Sequence, residues 1–538
     1  MTRSIPVSGL CLGVTLLVTA AHAAVEITDL GGDRFLVNFR FTAPPEAETV
    51  HVAGSFNGWD PAATAMQRQG NTQTFSTDVV LARGRYEYKF VIDGSTWRTD
   101  MDNPNRTDGY QNALLFVGLA ADDAGPTVTT RAPIASAPPA PPPAEITAAL
   151  AAITAADPSA RAVRIAALFR DMPMPHVTDK TVTFIWAGEA TSAPTVRVFA
   201  EGARLGYALQ PVPDVGGLYA LTLAREPFPD RWAYLYAIER SDRTDIQLDP
   251  HGWSVTTRAG EPVTRGVAAS PRVGRIELIP AVRPKSGDLP PRDVYVYLPP
   301  GYDRGSDRYP VLYMHDGQNS WDDPVEPFGH GGWTVNLVAD KLIAEGEVSP
   351  FIVVGVANTT DRMTEYGPGE DILDGAKHPY LRFLKDDLKP LIDAKYRTEP
   401  DAGHTFMAGS SLGGAISLQA ALLFPGVYGG AACLSPALMF KDAAGRSYFD
   451  LLAKVGARDV RLYVDHGTAG ESHDGAERTD RLIAELQAKG WRDGVNLVHF
   501  VDAGAAHNER AWRARLDRPL RFLFGREAKQ QDARQSPQ

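Results

Sequence analysis

Residues Gly409-Ser410-Ser411-Leu412-Gly413 join a short buried-strand pattern to a helix pattern, and no other feature of the chain constrains its fold as tightly. Residues 404–408 (HTFMA) precede the pentapeptide, and the helical run GAISLQAALLF (414–424) follows it. In that setting G-x-S-x-G is a sharp strand-to-helix turn. Small residues on both sides allow the reversal, and the serine between them is left exposed at the strand end. A serine hydroxyl is a weak nucleophile, so the arrangement is useful when a base lies within reach. The same five letters could be a glycine-rich turn with no chemistry; the strand before and the helix after favour a nucleophile at Ser411.

A chain of 538 residues is expected to hold about three domains. Residues 25–119 alternate apolar and polar side chains between turn signals, as in FLVNFRF (35–41), TVHVAGSF (49–56) and YEYKFVID (86–93), which predicts a β-sandwich. Residues 120–145 are rich in Pro and Ala and read as an extended, semi-rigid linker. Residues 146–270 give a helical period to about Arg170 and then strands again (VTFIWAG, TVRVFAEG, LYALTLA, WAYLYAIE), predicting a second β module. From 271 to 526 strands alternate with helices, the pattern of a mostly parallel sheet covered on both faces. Residues 527–538 read as a disordered tail.

The first 23 residues read as an export signal: Arg3, then an apolar stretch from Val7 to Ala21, then Ala21-His22-Ala23 as a small-x-small cleavage site. A periplasmic or extracellular location is expected. Cys11 would leave with the signal, and Cys433 lies in an apolar run, so no disulfide framework is expected. The formal net charge of −11 and the absence of a Lys/Arg run argue against nucleic acid as a partner, and no membrane partner is expected.

A nucleophilic serine needs a base, an acid that orients the base, and donors for the oxyanion. In α/β-hydrolases the acid and the base follow the serine in that order. His507 lies on the loop DAGAAHNE (502–509), just past the strand VNLVHFV (495–501) and before a helix, where the base belongs. His499, inside that strand, reads as structural. For the acid, the loop after DVRLYVD (459–465) offers Glu471 first, Asp474 second and Asp465 third. The histidines and carboxylates at 466, 471, 473 and 474 lack compact metal-ligand spacing, so neither a metal nor any other cofactor is expected. One oxyanion donor is the N–H of Leu412, the residue after the nucleophile. The second is placed at Gln318, on the loop HDGQNSW (315–321) after the strand PVLYM. The segment His330-Gly331-Gly332-Trp333 is a competing donor, but it lies farther from the strand end.

The ordered series RDVYVYLPPGYD (292–303), RYPVLYMHDGQNSW (308–321), FIVVGVANTTDRMTEY (351–366), FLKDDLKPLIDAKYRT (383–398), FMAGSSLGGAISLQAALLFPGVYGGAACLSPAL (406–438) and GAAHNERAW (504–512) resembles the putative esterase family. That family groups esterase D, the enterochelin esterases, and the feruloyl and acetylxylan esterases of carbohydrate esterase family 1. The resemblance implies an α/β-hydrolase fold with Ser411 and His507 as nucleophile and base, and it supports Leu412 and Gln318 as oxyanion donors. Its G-x-x-E or G-x-x-D acid signature is one residue longer here, between Gly467 and Glu471, which keeps Asp474 open.

The motifs GSFNGWD (54–60) and GRYEYKFVIDG (84–94), with Trp97 and Asn112, resemble the glycogen-binding module of AMP-activated kinase β subunits and the N-terminal modules of isoamylase-type enzymes. The resemblance implies that Trp59 and Trp97 stack on sugar rings while Lys89 and Asn112 bond hydroxyls; a module kept as a spacer is the competing expectation. Residues 180–257 resemble the immunoglobulin-like domain that precedes the catalytic domain of enterochelin esterases. That module is expected to pack on the catalytic domain, with Trp232 and Trp253 in core or interface. The chain as a whole is then expected to be two immunoglobulin-like β-sandwich modules followed by an α/β-hydrolase domain. Its expected activity is an exported serine carboxylesterase that removes feruloyl or acetyl groups from a polysaccharide or acylated oligosaccharide. A siderophore esterase of the enterochelin type, and a carbohydrate-binding protein with an inactive hydrolase domain, are the alternatives.

Overall fold

The computed structural model describes residues 25–525, except 32–33, 45–46, 70–71, 95, 101–102, 104–111, 118–136, 201–202, 227, 229–231, 240–243, 259–260, 268–269, 271, 323–330, 360, 456–459 and 471–472. The expected export signal, most of the expected linker and the expected C-terminal tail therefore lie outside the described residues, as does Glu471.

The N-terminal region is eight antiparallel strands from Val25–Gly31 to Ala113–Val117, joined into one sheet that wraps around a single core. Strand alternation builds that core. Phe35, Val37 and Phe39 face inward from one strand, and Tyr88, Phe90 and Ile92 face them from the strand Gly84–Ile92. The alternate residues Glu87, Lys89 and Val91 therefore lie on the outer face.

The middle region opens with two helices, Ala144–Thr154 and Pro158–Asp171. The single helical period expected there is split at Pro158, which is tolerated at a helix start and not inside a helix. A four-stranded and a six-stranded sheet follow. The strand Thr181–Ala187 is buried at all five of its interior positions because both faces are covered. Val182, Phe184 and Trp186 pack toward Trp232, Tyr234 and Tyr236 of the other sheet, and Ile185 packs under Ile146, Ile153 and Phe169 of the helices. The end of the expected linker belongs to this region. Ala140 N–H donates to Thr222 O (3.0 Å), Ala224 N–H donates to Pro138 O (2.9 Å), and Ala137 is buried with its N–H on the Tyr207 hydroxyl. Prolines at 138, 139 and 141–143 suit a sheet edge, where few N–H donors are needed.

The C-terminal domain is an eight-stranded sheet, its strands numbered here within the domain: β1 (Arg275–Val282), β2 (Arg292–Leu298), β3 (Val311–His315), β4 (Ile352–Val356), β5 (Thr405–Ser410), β6 (Gly430–Leu434), β7 (Arg461–Gly467) and β8 (Leu497–Asp502). The spatial order is β1-β2-β4-β3-β5-β6-β7-β8. β1 to β2 and β2 to β4 are antiparallel, and every later pair is parallel. β3, β4 and β6 are buried along their whole length, as parallel strands with helices on both faces must be. One face packs on α2 (Leu412–Leu423) and α3 (Ala476–Ala488). The other packs on α1 (Val335–Ala344) and on the C-terminal helices, which begin with α4 (Glu509–Ala514).

Side chains of the middle region bond to this domain. Thr256 Oγ1 donates to Asp322 Oδ1 (2.8 Å), and the nearly buried Arg265 pairs with Asp322 Oδ2 (2.9 Å). Trp232 lies in the middle-region core and Trp253 is half-buried.

Candidate active site

The parallel strands bring their C-terminal ends to one edge of the sheet, and the chemistry-bearing loops leave from there. Ser411 sits between β5 and α2 with φ 54° and ψ −121°, a conformation costly for a residue with a side chain. Three backbone hydrogen bonds hold it: Ser411 N–H to Leu434 O (3.0 Å), and Ala415 and Ala437 N–H to Ser411 O (3.1 and 2.9 Å). The glycines of the motif are needed sterically. A Cβ on Gly409 would come within 2.7–2.9 Å of Gly413, and one on Gly413 would meet His315 Cβ at 3.1 Å.

That last contact puts the β3 loop against the elbow. The loop turns on Asp316 (φ 55°) and continues as a short 3-10 turn, Gly317–Asn319. A Cβ on Gly317 would fall 2.2 Å from Gly355 C, so only glycine lets the loop lie on β4. Arg362 clamps Asp316 with two hydrogen bonds (2.6 and 2.8 Å), and Asn358 Nδ2 adds a third (2.5 Å). Burial alone would raise the Asp316 carboxyl, but the Arg362 guanidinium and Asn358 outweigh it and hold it below the usual carboxylate range. Gln318 Oε1 accepts from Asn358 N–H (3.0 Å), so the Gln318 side chain is fixed to the loop after β4. Leu412 is the first residue of α2, and its N–H belongs to the set that no carbonyl of the same helix takes up. His330 is outside the described residues, but Gly332 and Trp333 are not remote from the strand end: Trp333 N–H donates to Asn319 O (2.9 Å), and a Cβ on Gly332 would strike Trp321 O. Folding closes a separation that looked long in sequence.

His507 follows β8. Its loop is laced to the β7 loop by Ala469 N–H on Ala505 O (3.0 Å) and Gly504 N–H on Thr468 Oγ1 (2.7 Å). His507 Nδ1 lies 2.5 Å from Asp474 Oδ1, with the imidazole edge-to-face on Trp512 and about half exposed. Asp474, ranked second in the sequence, is thus the carboxylate that meets His507. The first-ranked Glu471 lies outside the described residues. The third-ranked Asp465 is committed elsewhere, in a two-pronged pair with Arg515 (3.0 and 3.0 Å). The reason is local geometry. His473, Asp474 and Gly475 all take positive φ, and this turn carries the Asp474 side chain back over the end of β7.

Three donors converge on Asp474: His507, Ser435 Oγ at 2.5 Å and Gly467 N–H at 2.5 Å. Burial pushes this carboxyl up, but the three donors outweigh it and hold it below its ordinary range, so it is ionised at neutral pH. Ser435 is itself fixed. It has φ 43°, its N–H faces Asp465, and its Oγ accepts from Trp512 Nε1 (3.0 Å) and Arg515 (2.8 Å). Sequence reasoning missed Ser435, Trp512, Arg515 and Arg362. The one available signal was that Ser435 ends a strand neighbouring the nucleophile strand, in the run CLSPA.

In the N-terminal region the four sugar-site candidates come together. The Trp59 and Trp97 rings lie 6.2 Å apart at 44°, with Trp97 well exposed. Trp97 pairs with Val91, which is fully buried although it lies on the outer face. Lys89 is two residues away on that face, and burial lowers its pKa. Asn112 Nδ2 donates to Glu87 Oε2 (2.9 Å), adding Glu87, which the sequence reading did not include.

A parallel-sheet domain with an elbow serine and an Asp–His pair at one sheet edge, preceded by β-rich modules, has the organisation of a multidomain ester hydrolase. Residues 290–523 match the family described as "Putative esterase", and residues 37–124 match "Glycogen recognition site of AMP-activated protein kinase"; the chain carries a domain of each. Among curated relatives, the chain is 25% identical over 240 residues to the uncharacterized protein YbbA of Bacillus subtilis, covering 43% of this chain and 92% of that protein. It is 29% identical over 237 residues to an endo-1,4-beta-xylanase/feruloyl esterase of Xylanibacter ruminicola, covering 43% of this chain but 29% of that enzyme. Among solved structures, the enterobactin esterase FES of Shigella flexneri aligns over 93% of this chain and 96% of its own at 17% identity, with a TM-score of 0.37.

Proposed function

We propose that this chain is an exported serine carboxylesterase of α/β-hydrolase type that removes feruloyl or acetyl groups from a polysaccharide or a related glycan ester. The observation that carries the reading is the 2.5 Å hydrogen bond between His507 Nδ1 and a buried, ionised Asp474, at the sheet edge where Ser411 is held in a strained elbow. Ser411 Oγ attacks the ester carbonyl carbon, and His507 Nε2 takes the serine proton. Asp474 keeps the Nδ1–H tautomer and stabilises the imidazolium that forms. The Leu412 and Gln318 N–H groups receive the developing oxyanion, each contributing roughly 3–4 kcal/mol of barrier lowering in comparable sites. His507 then protonates the leaving alcohol, and water cleaves the acyl-serine by the same route in reverse. The N-terminal module supplies the glycan side of the proposal: two tilted tryptophans beside Lys89 and the Glu87–Asn112 pair suit the apolar faces and hydroxyl edges of sugar rings.

The test is a hydrolysis panel of p-nitrophenyl acetate, methyl ferulate, acetylated xylan and a catecholate siderophore triester, run with the parent and Ser411→Ala. Turnover of the ferulate or the acetylated xylan, abolished in Ser411→Ala, is the expected result. Preference for the siderophore would reassign the substrate class. Undiminished turnover in Ser411→Ala would remove the mechanism.

A further inference from the structure

A second cluster lies behind the Asp474 turn, under α3. His466 Nε2 is 3.4 Å from Asp480 Oδ1, His499 Nε2 is 3.7 Å from the same oxygen, and all three ligand-type atoms lie within 4.8 Å of one another. The three residues come from different elements: His466 from β7, His499 from β8 and Asp480 from the second turn of α3. His466 is 2% exposed, and its Nδ1 lies 2.7 Å from Gly467 O. A carbonyl can only accept, so Nδ1 carries the proton, and Nε2 of the neutral ring presents a lone pair. Neither His466 Nε2 nor His499 Nε2 has a hydrogen-bond partner, and both atoms are buried. Two buried imidazole nitrogens without a hydrogen-bond partner thus face the same carboxylate oxygen. Buried polar atoms left unpaired are costly, and a cation held between them and the carboxylate would satisfy both.

We propose that His466, His499 and Asp480 form a binding site for a divalent transition-metal ion of the zinc type. Two imidazole nitrogens and one carboxylate oxygen are a zinc-type donor set. Around a tetrahedral ion with bonds of about 2.0–2.1 Å, neighbouring ligand atoms stand about 3.3 Å apart, so the two separations to Asp480 need little contraction. The Nδ1–H to carbonyl bond of His466 is the outer contact that fixes a metal-ligating imidazole in orientation and tautomer. The cluster has no short-range signature, because its members are 14 and 19 residues apart and no short-spacing motif joins them.

The role is structural. A bound ion would pin the second turn of α3 to β7 and β8. α3 begins directly after the turn that carries Asp474, and Gly467, next to His466, donates to Asp474. The site therefore steadies the acid without taking part in the reaction, and it stands independently of the substrate proposed above.

The experiment uses the full chain, stripped with a chelator and titrated with Zn2+ by calorimetry at micromolar concentration, with the thermal transition followed in parallel. One equivalent bound, a raised transition temperature, and binding weakened more than about tenfold in both Asp480→Ala and His499→Gln are expected. Asp480 is largely exposed, so its variant should fold; circular dichroism of the metal-free proteins verifies this. No Zn2+ binding by the parent would overturn the proposal. Binding unaffected in the two variants, or lost in His507→Ala, would overturn it by placing the ion elsewhere.

Discussion

Replacing Asp474 by Asn separates its proposed role from every competing carboxylate, and the surrounding donors dictate what the amide must do. Asp474 Oδ2 receives Gly467 N–H and Ser435 Oγ–H, each at 2.5 Å, while Oδ1 faces His507 Nδ1 at 2.5 Å. The Gly467 N–H cannot turn away, so the amide oxygen of the variant stays on that side. The amide NH2 is then aimed at His507 Nδ1, which must give up its proton to accept it. The proton moves to Nε2, the nitrogen that should receive the Ser411 proton, and the base is disabled with its geometry nearly intact. Loss of the correct tautomer costs roughly 10³–10⁴-fold in kcat, or about 4–5.5 kcal/mol of barrier. The assay is kcat for p-nitrophenyl acetate and methyl ferulate in Asp474→Asn, with Glu471→Gln beside it and circular dichroism to confirm the fold. Glu471→Gln is expected to stay near the parental rate. Activity of Asp474→Asn within tenfold of the parent would refute the reasoning, and a collapse confined to Glu471→Gln would restore Glu471 as the acid.

Three further outcomes are expected. Gly317→Ala drives a Cβ to 2.2 Å from Gly355 C and displaces the loop that carries the Gln318 N–H, so kcat should fall about 10²–10³-fold while KM moves little; an unchanged kcat would remove Gln318 from the oxyanion site. His315, fully buried beside that loop, has its pKa lowered to about 3 by desolvation, so between about pH 6.5 and 3 the unfolded chain binds a proton that the folded one refuses. Stability should therefore fall as pH drops through that window, by at most roughly 5 kcal/mol from this residue, and denaturant titrations across pH should show a shallower slope in His315→Gln. The double variant Trp59→Ala with Trp97→Ala should migrate through glycan-containing gels with retention weakened roughly tenfold (about 1.4 kcal/mol), and equal retardation of variant and parent would leave the module a spacer.

What could be read in the sequence was whatever depends on neighbours along the chain. The Ser411 elbow is legible because the turn needs glycine at 409 and 413, and those needs are met within five residues. The strands are legible because alternation records which face is buried, as at Phe35, Val37 and Phe39. Spacing from Gly467 puts Glu471 ahead of Asp474, but it does not register the turn at 473–475, where three consecutive positive-φ residues carry the Asp474 carboxylate to His507. The run Pro138 to Pro143 reads as spacer for a similar reason: proline composition resembles a linker, but an edge position beside Thr222 and Leu223 accepts it.

The residues hardest to foresee are those that hold the acid, because their partners are far apart in sequence and carry no motif. Ser435 donates to Asp474 and accepts from Trp512 and Arg515, which lie about 80 residues later. Arg515 in turn binds Asp465, which already meets Ser435 N–H. The circuit explains why a buried carboxylate at Asp465 is tolerable without being the acid: it neutralises the guanidinium that would otherwise compete with His507 for Asp474, 3.9 Å away. It also explains why Ser435 adopts φ 43°, since relaxing it would withdraw its hydroxyl from Asp474 and leave the buried Trp512 Nε1–H without its acceptor, at a cost of about 1–3 kcal/mol. A strained serine after β6 thus supports the strained serine after β5, through Ala437 N–H on Ser411 O and Ser435 Oγ on Asp474, so that the proposed nucleophile and the proposed acid are positioned by one loop.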